Sequence, residues 1–194
     1  MTTSRNGLKI IGAAVISATM LTTAAATSAQ GTAEVFTATA SVKTAAGAAA
    51  TAPVTITVDR TMPQKEAETL VAAFKTGGAA ALRKALTGVP PTGSVKIGSG
   101  QATPTRVTIE RATGDGRLLT IVTDQPVAFL GAGMPGAKPK EGFDFAVIDM
   151  VLDAKGNGSG TIAPAAKLKL NGSALVVEDY AIEAVQLTAV KKTK

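Results

Sequence analysis

The 194-residue chain contains no cysteine, no histidine and no tryptophan, and only five Phe and one Tyr. Without cysteine there are no disulfides and no thiol nucleophile. Without histidine as well, zinc sites of the Cys/His type and a Ser-His-Asp triad are excluded. No serine is followed by lysine three residues later and none sits in G-x-S-x-G, so two further nucleophile patterns are missing. Charged residues make up 18% of the chain and hydrophobic residues 45%, a balance that suits a globular domain rather than a disordered one.

The first 29 residues have the layout of a secretory signal. Arg5 and Lys9 precede an apolar run from Ile10 to Leu21, and Thr27-Ser28-Ala29 gives a small-x-small end. Cleavage is expected after Ala29, leaving residues 30–194 as one β-rich domain exported to the periplasm or beyond. The apolar run is shorter than the roughly 20 residues of a membrane span, and no span is expected after it. The net charge of +6 is concentrated at the ends. Removing Arg5 and Lys9, and setting aside Lys191, Lys192 and Lys194, leaves 15 basic against 14 acidic residues. A near-neutral body with few stacking aromatics excludes nucleic acid as the natural partner.

Along the remainder, strand periodicity dominates. Val35 to Val42 alternates, as does Val54 to Val58, and a small-residue stretch around Gly47 joins them with Pro53 at the second strand's start. A helical hairpin is predicted over residues 62–87. Thr61 is its candidate cap, Pro63 lies in the first turn, Leu70, Val71, Phe74, Leu82 and Leu86 are its apolar positions, and Gly77-Gly78 is its break. Two runs flanking Thr113-Gly114-Asp115-Gly116 predict a β-hairpin. Short strands follow near 127–130, 161–163, 167–170 and 174–178, residues 143–153 are the longest strand candidate, and a long closing strand is expected over 180–190. The fold class is therefore α+β: a mainly antiparallel sheet, barrel-like or a sandwich, carrying one helical hairpin.

Few residues suggest chemistry. Gly131-Ala-Gly133-Met-Pro-Gly136 matches G-x-G-x-x-G, but Pro135, Pro139 and Gly142 oppose the helix a dinucleotide fingerprint needs. A flexible surface loop is the plain reading; the other is a lid, in which Met134 covers an apolar opening and Lys138 and Lys140 meet an anionic head group. An alternative acidic site is Asp149 with Asp153, which alternation puts on one strand face with Phe145, Val147 and Val151. The tract from Asp153 to Gly160 lacks the acidic positions of a calcium loop, so no metal site and no cofactor is expected. An outer-membrane barrel would need aromatic girdles that six aromatics cannot supply. These exclusions favour an exported, non-catalytic protein that binds a small, mostly apolar ligand. The alternatives are a structural or assembly protein at the cell surface, with residues 30–53 pairing onto a neighbour, and a carboxylate-based hydrolase.

Overall fold

The computed structural model describes residues 15–17, 33–43, 47, 49–129, 141–172, 174–180 and 184–194. In chain order the elements are β1 (Val15–Ser17), β2 (Glu34–Lys43), β3 (Ala49–Val58), α1 (Gln64–Thr87), β4 (Gly93–Ile97), β5 (Thr103–Thr113), β6 (Gly116–Thr123), β7 (Phe145–Asp153), β8 (Gly158–Asn171), β9 (Ala174–Tyr180) and β10 (Val185–Lys192). All strand pairings are antiparallel. Strands β8-β10-β2-β3-β4-β5-β6-β7 follow one another in space, and β7 pairs back onto β8, closing an eight-stranded barrel. The expected α+β class, barrel-like with a helical segment, is what forms. The 14-residue β8 serves two ladders: its first part closes the barrel, and residues 166–171 run on to pair with β9. β1 lies along the outer edge of β9.

The barrel is filled by its own side chains. Phe36, Ala38 and Ala40 of β2, Val54 and Ile56 of β3, Val95 of β4, Leu119 and Ile121 of β6, Ile148 and Met150 of β7, and Leu187 of β10 meet in one buried cluster. Barrels of eight strands have room for little more than such side chains. The small alanines opposite Phe36, isoleucines and Met150 let the layers interdigitate. Val127 and Phe129 also enter this core. Near Thr105 the interior carries hydroxyls that satisfy one another: Thr108 Oγ1 donates to Thr92 Oγ1 over 2.9 Å, and Thr92 lies 3.1 Å from Thr105 Oγ1.

Outside, Thr37, Thr55, Lys96, Gln186 and Thr188 are exposed on β2, β3, β4 and β10. That polar wall is the reverse of the apolar band a lipid-facing barrel presents. Among the described residues no helix is long and apolar enough to cross a membrane. Where the wall is not polar, over β5 to β9, α1 covers it. Leu70, Val71, Leu82 and Leu86 of the helix pack on Val107, Val122, Phe145, Val147, Ala163 and Leu168, a second core outside the barrel.

Helix α1 is two helices, 64–76 and 79–87, broken at Gly77 (φ −144°, ψ 20°) and Gly78 (φ 63°, ψ −152°). Gly78 lies in a region that L side chains rarely adopt, so the break needs glycine. Both halves face the same stretch of wall. Pro63, not Thr61, occupies the N-cap, and no side chain caps the helix. Its carbonyl instead accepts from the amides of Glu66 and Ala67.

Other expectations need correction. The stretch after Gly47 is strand from Ala49 onward, and Pro53 lies inside β3 rather than at its start. Its missing N–H is tolerated because Pro53 lies at the end of the β4 ladder, which pairs residues 54–58, and the one bond that reaches it there is the Gly98 N–H donating to its carbonyl over 2.8 Å. The runs at 161–163 and 167–170 are one strand. Of the strand expected near 127–130, the described residues 127–129 contribute an isolated bridge at Phe129. Closing strand β10 starts at Val185, while Tyr180 ends β9. Strand β10 also contains a bulge at Ala189 (φ 50°). The extra residue resets the alternation, so that Leu187 and Val190, three apart, both face the core.

Strand β2 is not a free edge. It is paired to β3 on one side and β10 on the other, so its edges offer no ladder to a neighbour. Deleting residues 30–53 is therefore expected to abolish folding, read as loss of a cooperative melt, rather than to spare a monomer. A finer test is Gly160→Ala. A Cβ there would sit 2.2 Å from the Asp149 carbonyl oxygen, so β7 and β8 must separate. The expected cost is about 1–3 kcal/mol by denaturant melts.

Candidate functional site

The β5–β8 wall can be read row by row from its register. Val107, Val122, Val147 and Ala163 stand side by side beneath the hairpin. The next row along the strands is Ile109, Thr120, Asp149 and Thr161, and the one after is Arg111, Leu118, Val151 and Ser159. Polar side chains thus enter the face beyond the apolar row under the hairpin, mixed with Ile109, Leu118 and Val151.

Between hairpin and wall runs an apolar seam lined by Ala67, Leu70, Leu82, Leu86, Val107, Val122, Leu168 and Leu175. Its free volume is about 10 Å³, room for about one water and no more. Arg83 Nη1, on the hairpin's second half, donates to Asp144 Oδ1 over 3.1 Å and ties the hairpin to the chain just before β7.

Asp149 is the half-buried acid of the wall. Thr120 Oγ1 donates to its Oδ1 over 2.7 Å. Burial pushes the carboxyl above its ordinary value, and the Thr120 hydrogen bond and the Arg111 charge only partly oppose that shift. Arg111 attracts the carboxylate without closing an ion pair with it, and its Nη2 is buried with no hydrogen-bond partner. Tyr180 belongs to the same environment: burial first, and then the Asp149 charge, raise its hydroxyl pKa.

Asp153 behaves differently. Its Oδ1 accepts the backbone N–H groups of Lys155 and Asn157, each at 2.8 Å. These bonds, led by Asn157, hold its carboxyl below the ordinary value. It organises the β7–β8 turn in the manner of an Asx turn. Asp149 and Asp153 share a face but stand four residues apart, roughly 13 Å along the strand. Paired-carboxylate glycoside chemistry needs about 5–9.5 Å, so the two are not brought together for it. Beside this turn the wall ends in an open depression of about 570 Å³. Met134, Lys138 and Lys140 lie outside the described residues. Among the described residues no group of three or more acidic, Cys or His side chains could hold a metal ion.

A second charged cluster caps the barrel core beside that same turn. Arg117 donates to Glu34 over 2.8 Å and to Glu110 over 3.1 Å, and Lys192 also pairs with Glu34. Burial works against Glu34 as an anion, yet the hydrogen bonds from Arg117 and Lys192 prevail and hold its carboxyl below the ordinary value. Arg117 also lies 5.9 Å from the centre of the Phe36 ring. With every charge partnered, this cluster pins β2, β6 and β10 rather than awaiting a ligand.

Sequence reasoning missed Arg111 and Thr120. The 113–116 turn was visible, and counting back from it sets Arg111 opposite Leu118 and Ile109 opposite Thr120. What no local pattern revealed is that β7 lies against β6 and brings Asp149 to Thr120. No family model, no curated protein and no solved structure matches this chain.

The pKa shift at Asp149 sets a stability prediction. Because folding raises this pKa, the folded chain holds a proton that the unfolded chain has lost above about pH 3.9. Stability from this group therefore falls as pH rises through and beyond that value. Asp149→Asn keeps the Thr120 bond and removes the titration. Its melting temperature relative to wild type should climb between about pH 4 and pH 7. A difference that stays flat across that range would show that Asp149 burial is not felt by the fold.

Proposed function

We propose that this chain is an exported, non-catalytic binding protein whose ligand is small and mostly apolar, held in the seam between the α1 hairpin and the barrel wall. The observation that supports it is the seam itself: a wholly apolar interface covered by two short helices joined at Gly77-Gly78. The closed interior of the barrel is already filled, so a ligand finds room at the seam only when the hairpin lifts. A glycine pair is suited to absorb that change of backbone angle. Met134, Lys138 and Lys140 remain the proposed loop contacts. The chain re-enters the described structure at Glu141, and Asp144 is then bound to Arg83 of the hairpin. Met134→Asp should weaken binding if the loop takes part.

A second reading, assembly by strand addition, has one observation in its favour. The β9 edge, not β2, accepts an extra strand, since Val15–Ser17 pair with residues 174–176 there. Loss of residues 1–29 on export would open that edge to a partner chain.

Native mass spectrometry on protein purified from its own secretory route separates the two. A mass starting at Gln30 with a small adduct supports the binding reading, and a ligand-free discrete oligomer supports assembly. Leu82→Ala probes the seam directly. Leu82 is 2% exposed, so its truncation should cost about 2–5 kcal/mol and leave an apolar cavity. That cavity should take up benzene, raising the melting temperature of the variant more than that of wild type.

A further inference from the structure

The wall beyond the seam carries an unused donor. Arg111 Nη2 is buried with no hydrogen-bond partner, although a buried guanidinium N–H left unmatched costs more than most neutral groups would. Asp149 is near enough to attract it, yet the two form no ion pair, and Asp149 accepts instead from Thr120. The row holding Asp149 abuts the row that floors the seam: Asp149 and Val147 are two residues apart on one strand face, about 7 Å.

We propose that Arg111, Thr120 and Asp149 form the headgroup subsite of an amphiphile, and that the headgroup is a single carboxylate whose hydrocarbon tail lies in the seam under α1. The inference rests on the binding reading above and names its ligand class. One carboxylate oxygen receives the Arg111 Nη2–H. The other accepts from the Oδ2–H of protonated Asp149, while Thr120 Oγ1 donates to Asp149 Oδ1. The Arg111 charge is then matched by one negative charge. Burial raises the Asp149 pKa, which lowers the cost of the proton this arrangement places there. A phosphate would bring up to two charges against one guanidinium, and a neutral alcohol would leave the Arg111 charge uncompensated once Asp149 is protonated.

Calorimetric titration of the full-length exported protein at pH 7 with dodecanoate, and separately with dodecanol, tests the proposal. Both are used below their aggregation concentrations. Dodecanoate is expected to bind about tenfold or more tightly than dodecanol, the value of a charge-assisted hydrogen bond. Arg111→Met should remove that preference and leave dodecanol binding within about threefold. Asp149→Asn keeps a donor on the same atoms and should retain the preference. Arg111→Lys serves as a second variant should the methionine change disturb folding, and it should reduce the preference without abolishing it, since lysine lacks the planar fork. Equal binding of the two probes, or equal losses for both in Arg111→Met, overturns the headgroup assignment while leaving the seam intact. If neither probe binds wild type, the seam reading is overturned and the headgroup with it.

Discussion

Closure of the barrel is the constraint on which the rest depends. Pairing β7 to β8 leaves no open edge among the eight barrel strands, and it fixes a radius that only side chains can fill. The interior fits that radius by mixing small alanines with Phe36, Met150 and the isoleucines. Glycines appear where the backbone of β8 comes too close to β7 for a Cβ, as at Gly158 and Gly160. The chain achieves this with neither disulfide nor metal ligand of the Cys/His type. That is reasonable for its size, since about 70% of the unfolded surface of a domain near 150 residues is buried on folding.

Closure also moves the interest of the molecule outward. A filled interior leaves its outer wall as the surface with unspent apolar area. The wall divides accordingly: threonine and lysine over β2, β3, β4 and β10, valine and leucine over β5 to β9. The α1 hairpin exists to cover the second half, and its sequence shows it, with apolar residues on one side of each helix and glycine only at the break. Covering is incomplete along the strands. Past the row at Val107 the wall continues into Thr120, Asp149 and Arg111, where apolar packing gives way to polar groups that do not fully satisfy one another. Such juxtaposition of a greasy floor with a few convergent polar groups is the usual make-up of a small-molecule site.

The two acids of β7 show why position outweighs residue type. Asp149 and Asp153 are chemically identical and four residues apart, yet their carboxyl groups shift in opposite directions. Asp149 is hemmed in by the wall and gains one hydroxyl donor, so its charged form is disfavoured. Asp153 lies in open water with two backbone N–H groups aimed at it, so its charged form is favoured. The first is desolvated by its place in the wall, and the second is held by its turn.

Much of this architecture was legible in the residues themselves. Alternation marks β2, β3 and β7 because each has one wet and one dry face. The 113–116 turn and the Gly77-Gly78 break announce themselves because only certain residues tolerate those backbone angles. The absence of Cys, His and Trp restricts the available chemistry before any fold is known. Three things were decided only by tertiary structure. Barrel against sandwich depends on which strands pair across long separations, and alternation is the same for both. Pro53 within a strand and the bulge at Ala189 are tolerated because of what their neighbours leave unpaired, which no local signal carries. The meeting of Arg111, Thr120 and Asp149 needs β5, β6 and β7 side by side in one register, and register is a property of the closed sheet, not of any strand alone.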